Sequence, residues 1–421
     1  MDSEFSACPL PLYSPSHPSP CYSQDPAYDE TRLDSSPQTA TGVLPTGIFT
    51  KSYGSATVVL FDQESSVSVP SYGREASVRG SLILEQDMSH ISEIVAKLDG
   101  RIEITTAESG ALMINTVKKS YSLWFPGSSA SSSCPERIDF ACPLPTKFDH
   151  RGCECPLPPS YNAEFRGFPA LFAKCIYSLT ISIIKDRRRL GFLSKMKTIR
   201  VPVEYHPQTS PPRGISPTPT YFLSAVKVMP EEWHQSSFAM NTHCSSNLAP
   251  IQCQAFIPSV KIFGLSDTIP LHLQMSGPLS SLRTFILPSS PSPDDIDDGK
   301  GPVRVYLTRM VSFEYRGKAT WRVMRLGEGR FRPLPPMVNF DCDCRPVCVP
   351  DDACVQSLDW DGEVKCDPGV AVGGFKSAGL TVKDFITLEL IPPKPVSSPL
   401  LTMQHAIPIR LVTDTFLNVA T

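Results

Sequence analysis

Two β-rich runs on either side of a basic turn constrain the fold of this chain more than any other stretch. The runs Leu171–Ile184 and Lys197–Tyr205 are dominated by Val, Ile, Thr and Tyr, which favour strands. From Ala173 onward the apolar side chains of the first run tend to alternate, and a period of two places such a row on one sheet face. The sequence therefore predicts two strands joined by a charged loop. The predicted core row is Ala173, Cys175, Tyr177, Leu179, Ile181 and Ile183, matched by Ile199, Val201 and Val203.

The composition extends the β prediction to the whole chain. The 43 prolines and 24 glycines cluster between strand-like runs, as in all-β proteins with many loops. A length of 421 residues suits two domains of about 150–200 residues each, and 41 % hydrophobic residues suffice for two cores. The segment Met88–Leu98 can be drawn as a helix, but its Val- and Ile-rich flanks favour a strand. Leu282–Leu287 is also predicted as a strand.

Changes in composition along the chain define the predicted domain organisation. Residues 1–42 are rich in Ser, Pro, Tyr and Gln without hydrophobic periodicity, which indicates a disordered arm. Residues 209–224 form a Pro-rich linker between two series of strand-like runs. The predicted fold is all-β, with two tandem immunoglobulin-like antiparallel β-sandwiches at 43–208 and 225–421. The second sandwich is expected to carry two long loops, at 288–301 and 327–356.

Charge and hydropathy exclude several classes of protein. The formal net charge of −3 gives no basic excess, so nucleic acid is not an expected partner. No apolar run approaches the roughly 20 residues of a transmembrane helix, and the first residues lack the basic and apolar regions of a secretory signal. The fourteen cysteines form no regular framework, so reduced thiols in the cytoplasm are expected. Cys142, Cys175 and Cys253 are expected to act as small buried hydrophobes.

Short patterns in a consistent order resemble segments of the arrestin-like family over about residues 43–417. In the first half they are Val78-Arg-Gly-Ser-Leu82 and Leu157-Pro-Pro-Ser-Tyr161, the latter followed by a Tyr-x-Leu-x-Ile strand that begins at Tyr177. In the second half they are Asp267-Thr-Ile-Pro-Leu-His-Leu-Gln-Met275 and the closing Ile407-Pro-Ile-Arg-Leu-Val-Thr413. The divergent, loop-rich style looks most like the fungal arrestin-like proteins of the alpha-arrestin type.

The resemblance implies a non-enzymatic adaptor without a cofactor, which links cytosolic parts of membrane proteins to ubiquitin-ligase and endocytic trafficking machinery. It implies a cytoplasmic protein, peripheral at the plasma membrane or endosomes. Cytosolic tails of membrane proteins and a WW-domain HECT-type ubiquitin ligase are its candidate partners. The Pro-Pro-x-Tyr motifs that such adaptors carry after the second domain do not occur in residues 225–421, so the resemblance supports the fold more than the ligase role. The alternatives are a vesicle-coat scaffold of the retromer-subunit type and an anionic-lipid-binding module.

One Pro-Pro-x-Tyr match lies inside the first predicted sandwich, at Pro158, Pro159 and Tyr161. WW domains bind such segments because a polyproline II stretch is already ordered and the tyrosine fills a groove. The alternative is a framework turn in which Tyr161 packs before a core strand. The position of the segment within the resemblance favours the framework turn.

Positive charge gathers around one predicted hairpin. Arginine forks and lysines suit phosphate oxygens, so phosphorylated tails or anionic lipid head groups are candidate ligands of this hairpin. The alternative is a solvated loop without a ligand. The candidate anion-binding residues are Lys185, Arg187, Arg188, Arg189, Lys195 and Lys197.

Two further clusters suggest metal ions but have unsuitable spacing. Four thiolates can hold zinc, yet the densest cysteine cluster lacks paired C-x2-C spacing and is crowded by aspartates. An acidic stretch within 288–301 lacks the closing Glu of a calcium loop. No motif of a nucleotide-binding or hydrolytic enzyme occurs, so no catalytic residues are predicted. The weak zinc candidates are Cys342, Cys344, Cys348 and Cys354.

Overall fold

In the computed structural model, the described residues lie in one compact unit within residues 36–421. Strands make up most of the described residues, so the all-β prediction is confirmed. The predicted domain boundaries stay predictions, and of the predicted arm only Gln38–Thr39 is described; it pairs with Thr209–Ser210. The described ranges are 38–39, 45–64, 67–85, 90–127, 133–185, 195–216, 222–286, 301–334 and 355–416.

The first half folds as two large sheets around one hydrophobic core. In chain order its strands are β1 (Gln38–Thr39), β2 (Gly47–Ser52), β3 (Ala56–Gln63), β4 (Ser71–Tyr72), β5 (Ser77–Leu84), β6 (Ile91–Thr106), β7 (Gly110–Trp124), β8 (Arg137–Pro143), β9 (Lys147–His150), β10 (Cys153–Pro156), β11 (Tyr161–Phe165), β12 (Leu171–Lys185), β13 (Lys195–Tyr205) and β14 (Thr209–Ser210). One sheet has the order β2-β3-β5-β8. The other has the order β4-β13-β12-β6-β7, with β11 also paired to β12. The short pairs β1-β14 and β9-β10 lie outside these two sheets. We call this half the first sandwich.

The predicted pair of strands lies at the centre of the first sandwich. β12 pairs antiparallel with both β13 and β6, so both of its edges are hydrogen-bonded. Strand β6 covers most of the segment Met88–Leu98, which confirms the strand prediction there. The residues of the predicted core row, Ala173, Cys175, Tyr177, Leu179, Ile181, Ile183, Ile199, Val201 and Val203, are all buried.

The second half contains a long curled sheet around its own core. In chain order its elements are α1 (Phe222–Val228), a 3-10 turn (Pro230–Glu232), β15 (Trp233–Met240), β16 (Ile251–Pro258), β17 (Ile262–Gly264), β18 (Thr268–Pro278), α2 (Leu279–Ile286), β19 (Val303–Tyr315), β20 (Lys318–Pro333), β21 (Val355–Lys365), β22 (Phe375–Ser377), β23 (Leu380–Leu390) and β24 (Met403–Val412). The strand order is β15-β16-β18-β21-β20-β19-β23-β24-β17, with β22 on β23. We call this half the second sandwich.

Strand β20 joins the two layers of the second sandwich. Its first part, to Glu328, pairs with β19, and its last part, Gly329–Pro333, pairs with β21. A Cβ atom at Gly329 would collide with the Glu363 carbonyl oxygen and with Val305, so only glycine allows the strand to cross between layers there. Residues 327–333 were predicted to begin a loop; the structure shows that they continue the strand instead.

The strand prediction for Leu282–Leu287 is wrong, because its described residues, 282–286, belong to helix α2. Leu279, Leu282 and Phe285 recur every three residues, and all three are buried in the core of the second sandwich. This spacing is helical. The predicted window was too short to show the period, since it left out Leu279.

Helix α1 packs on the outer face of the second sandwich through an aromatic contact. The ring of Phe222 stacks on the ring of His272, with 3.8 Å between centroids. His272 is buried on β18, and both of its ring nitrogens face carboxylates of β21. The Nδ1 atom lies 2.7 Å from Asp361, and the Nε2 atom lies 3.0 Å from Asp359. We call these three residues the His272 cluster.

The two sandwiches share apolar packing. Val311 and Phe313 of β19 and Leu380 and Val382 of β23 belong to the hydrophobic core of the first sandwich, although their strands run in the second. The Ser377 hydroxyl also donates a 2.7 Å hydrogen bond to the Pro156 carbonyl oxygen across the junction. The strand ends of the second sandwich therefore help to close the first.

Candidate functional site

A cleft of about 650 Å³ lies where the two sandwiches meet. On the first sandwich it is lined by residues 156–159 and by the chain after β13, from Tyr205 to Pro207. On the second sandwich it is lined by the edge formed by β22, β23 and β24. We call it the junction cleft. Concave sites of this size between structural units are common binding sites.

The wall from the first sandwich is a proline segment held by backbone contacts. The Leu157 amide donates to the Thr146 carbonyl oxygen at 2.9 Å, and the buried Tyr177 hydroxyl donates to the Pro158 carbonyl oxygen at 2.5 Å. The Ser160 amide donates to the Tyr205 carbonyl oxygen, and the Tyr205 amide donates to the Ser160 hydroxyl. Proline has little backbone freedom to lose, so this wall is rigid.

A buried ion pair lies beneath the cleft. The Arg309 guanidinium donates to the Asp384 carboxylate at 2.7 Å, and the side chains of both residues are almost fully enclosed. The second carboxylate oxygen accepts a 3.3 Å bond from the Leu411 amide. Burying two charges costs free energy that their mutual attraction offsets only when both partners are present. We call Arg309 and Asp384 the junction pair.

The opening of the cleft carries positive charge. Asp384 is the one carboxylate among the described residues that line it, and Arg309 already compensates its charge. Lys376 and Lys383 are exposed and have no ion-pair partner among the described residues. The cationic residues that line the cleft are Arg74, Lys147, Lys376, Lys383 and Arg410.

The remaining cations differ in their surroundings. Lys147 forms a 2.7 Å ion pair with Glu154, which neutralises part of the rim on the first sandwich. Burial lowers the pKa of Arg410, while the nearby Asp384 carboxylate opposes that change. Arginine stays protonated in proteins in any case. Arg74 lies 3.9 Å from the Glu75 carboxylate, so Lys376, Lys383 and Arg410 supply the excess of positive charge that favours an anionic ligand.

The structure places the Pro-Pro-x-Tyr segment in the framework of the junction. Pro158 and Pro159 are buried in the cleft wall. The Tyr161 ring lies edge-on to Phe375 of the second sandwich, with centroids 5.3 Å apart. Burial raises the pKa of Tyr161 to about 12, against the opposing effect of the Arg309 guanidinium. This placement agrees with the framework turn, and WW binding stays a prediction.

The anion-binding candidates are only partly described. Arg187, Arg188 and Arg189 lie outside the described residues. Lys185 ends β12 and Lys195 begins β13, opposite each other in the ladder.

Lys197 has a structural contact. Its ammonium group donates to the Tyr53 carbonyl oxygen at 2.7 Å and to the Ser55 hydroxyl at 2.9 Å. Anion binding by the hairpin therefore stays a prediction.

The structure describes only some of the cysteines for which the sequence made predictions. The weak zinc candidates Cys342, Cys344, Cys348 and Cys354 lie outside the described residues, and no group of metal-binding side chains occurs in the part described. Cys142, Cys175 and Cys253 are buried, as predicted. Burial raises the pKa of the Cys175 and Cys253 thiols to about 12, so they stay protonated and packed like hydrophobes.

Sequence reasoning missed the cations of the second sandwich that line the cleft. Lys376 and Lys383 are seven positions apart, and Arg410 follows much later, so no charge run marks them. Strand pairing brings them together, because β23 pairs with β22 on one part and with β24 on another. Only the register of these strands reveals the cluster.

Comparisons with known proteins give similar solved structures at low sequence identity. The chain matches no family description and no curated protein. Squid arrestin is a similar solved structure, with a TM-score of 0.38 and 6 % identity over 89 % of this chain and 100 % of that chain. Spo0M, a sporulation control protein from Bacillus subtilis, has a TM-score of 0.21 and 11 % identity over 65 % of this chain and 91 % of that chain. Among the described residues, no helix has the length and hydropathy to cross a membrane.

Proposed function

We propose that this chain is a non-enzymatic, arrestin-like adaptor whose junction cleft binds acidic or phosphorylated cytosolic segments of membrane proteins. The observation that carries the proposal is the excess of positive charge at the cleft opening, where the one lining carboxylate already has a cationic partner. Carboxylates and phosphates are the protein groups that such a field attracts. The two-sandwich fold and the arrestin-like sequence patterns are consistent with a binding scaffold.

The cleft accounts for specificity as well as attraction. Its walls combine prolines and Tyr205 with the half-buried Phe375, so part of a bound segment would contact apolar surface. Lys376 and Lys383, which lack ion-pair partners among the described residues, can meet acidic groups, whereas the rigid proline wall limits the width of the ligand. We therefore expect a short acidic stretch in an extended conformation as the bound form.

Binding of fluorescein-labelled peptides tests this proposal. The probes are a peptide with four consecutive acidic residues, a phosphoserine version and a neutral version. The double variant Lys383→Glu, Arg410→Glu should weaken binding of both acidic peptides by about 10–100-fold. Lys119→Glu, on an exposed part of β7 away from the cleft, is the matched control and should bind like the wild type. Equal binding of the acidic and neutral peptides would contradict the proposal.

Recruitment of a WW-domain ubiquitin ligase is the second half of the proposed adaptor role. Pro158, Pro159 and Tyr161 are its candidate motif. The prolines are buried and Tyr161 is half-buried against Phe375, so a WW domain must compete with these framework contacts. A synthetic peptide of residues 155–163 and the intact chain should be compared in pull-downs with a WW domain. Binding by the peptide but not by the intact chain would assign the motif to the framework. Binding by the intact chain that Tyr161→Ala abolishes would support recruitment.

The vesicle-coat and anionic-lipid alternatives stay predictions from the sequence. The arginines that motivate lipid binding, Arg187–Arg189, lie outside the described residues. Proximity labelling in the native cell separates the alternatives, because stable coat subunits as partners would favour the scaffold, whereas transporters and ligases would favour the adaptor.

A further inference from the structure

An exposed tryptophan lies on the outer face of the second sandwich, beside the junction cleft. The Trp321 side chain on β20 is 58 % exposed, and Val323, two positions along the same strand, is 50 % exposed. By contrast, Trp124 and Trp360 are buried in the two cores. Large apolar side chains grouped at a surface, and tryptophan above all, are enriched at protein-binding sites.

Strand register connects these residues to the cations of the cleft. Val323 pairs with Met310 of β19, and Met310 pairs in turn with Lys383 of β23. A second row begins at Trp321, which pairs with Ser312 of β19. Ser312 pairs with Thr381 of β23, and Thr381 pairs with Lys376 of β22. Directly paired residues in a sheet point to the same face. Each row therefore starts with an apolar side chain on β20 and ends with a lysine at the cleft.

The opposite face of the same strands is occupied. Val311 and Phe313 alternate with Met310 and Ser312 along β19, and both pack into the core of the first sandwich. The face that carries Trp321 is therefore the one turned away from that core. Within the part of the chain that the structure describes, nothing comparable covers Trp321 and Val323.

The charge of this face indicates what the partner is. Lys376 and Lys383 lack ion-pair partners within the described residues. Arg325 lies over the Tyr306 ring at 3.5 Å on the same face. Two carboxylates of this face are far from the two rows, because Glu328 pairs with Tyr306 and Glu389 pairs with Arg304. Glu314 is closer, in the row next to that of Trp321, where it pairs with Ala319 beyond the apolar end of the row. An acidic partner is complementary to these rows, and a basic one is not.

Sheet geometry sets the spacing of the complementary groups. Neighbouring strands lie about 4.8 Å apart, so Val323 and Lys383 are separated by about 10 Å, and Trp321 and Lys376 by about 14 Å. An extended chain advances about 3.3 Å per residue. A segment that runs across the strands would therefore cover these distances with roughly three to four residues.

We propose that the acidic ligand of the junction cleft continues across this face as an extended peptide of a partner protein, with a large apolar side chain on Trp321 and Val323. That side chain lies three or four residues from the acidic group that meets Lys376 or Lys383. The inference rests on the proposed function, because the acidic end of the segment occupies the cleft opening. It adds the second anchor, its chemistry and its spacing.

Two labelled peptides test the second anchor by fluorescence anisotropy. One contains an acidic cluster with only Gly and Ser around it, and the other adds a single Phe four residues from the cluster. The wild type should bind the Phe peptide about tenfold more tightly than the acidic peptide. Trp321→Ala should abolish this difference and leave the affinity for the acidic peptide unchanged. Met113→Ala, which removes an exposed apolar side chain of β7, should preserve it.

The outcomes separate the inference from the proposed function. Equal binding of the two peptides by the wild type overturns the second anchor and leaves the acidic cleft intact. Absence of binding by both peptides overturns the proposed function and this inference together. A third outcome is that Trp321 fluorescence responds to vesicles containing phosphatidylserine but to neither peptide. That result assigns the face to a membrane and overturns the inferred peptide anchor. Trp321-dependent dimers in sedimentation equilibrium overturn it in favour of a second copy of the chain. Thermal melts check that each variant is folded.

Discussion

The junction pair and the His272 cluster each bury a nitrogen-bearing side chain against aspartate, but they differ in the surroundings of the carboxylates. Asp384 is fully enclosed and meets Arg309 where the two sandwiches join. The side chains of Asp359 and Asp361 keep 19 % and 33 % exposure and meet His272 beneath one helix of a single sandwich. Water can therefore replace a lost contact in the His272 cluster, whereas it cannot easily do so in the junction pair. The junction pair should therefore tolerate the loss of one partner less well than the His272 cluster.

Removing the enclosed carboxylate should have the largest effect. Asp384→Ala leaves the Arg309 guanidinium buried without its counter-charge, and we expect the free energy of unfolding to fall by about 3–5 kcal/mol. Urea denaturation measures the change. The double variant Arg309→Met, Asp384→Leu should recover most of the loss, because it removes both charges and keeps apolar volume. A double variant as unstable as Asp384→Ala would show that the pair itself is required.

Removing the aromatic cover of the His272 cluster should have the next largest effect. Phe222→Ala deletes the ring that stacks on His272 and contacts Trp233 and Phe256, at an expected cost of about 3 kcal/mol. Hydrogen exchange in α1 should rise together with this loss. Val228→Ala is the control on the same helix, because Val228 is 75 % exposed and should change little. Equal effects of the two variants would mean that α1 is not held through Phe222.

Removing one carboxylate of the His272 cluster should cost less than removing Asp384. Asp359 accepts from Gln274 as well as facing His272, so Asp359→Ala deletes two contacts, but Asp361 and solvent remain. We expect a loss of about 1–2 kcal/mol in urea denaturation. Glu108→Ala, in an exposed turn, is the control. A loss as large as that of Asp384→Ala would contradict the proposed difference between the two clusters.

The smallest effect concerns alkaline stability at the junction. Burial raises the pKa of Tyr161 to about 12, above the value of about 10 in an unfolded chain. The contribution of the protonated hydroxyl is therefore complete below pH 10 and is lost as the pH rises toward 12, because the unfolded chain releases its proton first. Tyr161→Phe should unfold with a weaker dependence on pH in this window, as measured by urea denaturation at several pH values. Identical pH profiles for the wild type and Tyr161→Phe would show that burial does not raise the pKa of Tyr161.

The parts of the fold that local spacing determines were predictable, and the binding surface was not. The alternating row from Ala173 to Ile183 predicted a core strand, because period two is visible within the run itself. Helix α2 was missed because the window excluded Leu279. The prolines and cysteines of the stretch from residue 327 suggested a loop, although its first residues continue β20. Lys383 and Arg410 meet through strand register, which no local pattern specifies. The candidate site is therefore mostly a product of tertiary pairing.

The crossing of β20 has a mechanical consequence. A single strand runs through both layers of the second sandwich. Sliding of one layer past the other would therefore strain the backbone near Gly329 and not only disrupt side-chain contacts between the layers. A displacement of the layer that carries the His272 cluster is thus transmitted along β20 to β19, its partner in a hairpin. Strand β19 in turn contributes side chains to the core of the first sandwich. The two ends of the molecule are linked by chain continuity as well as by side-chain packing.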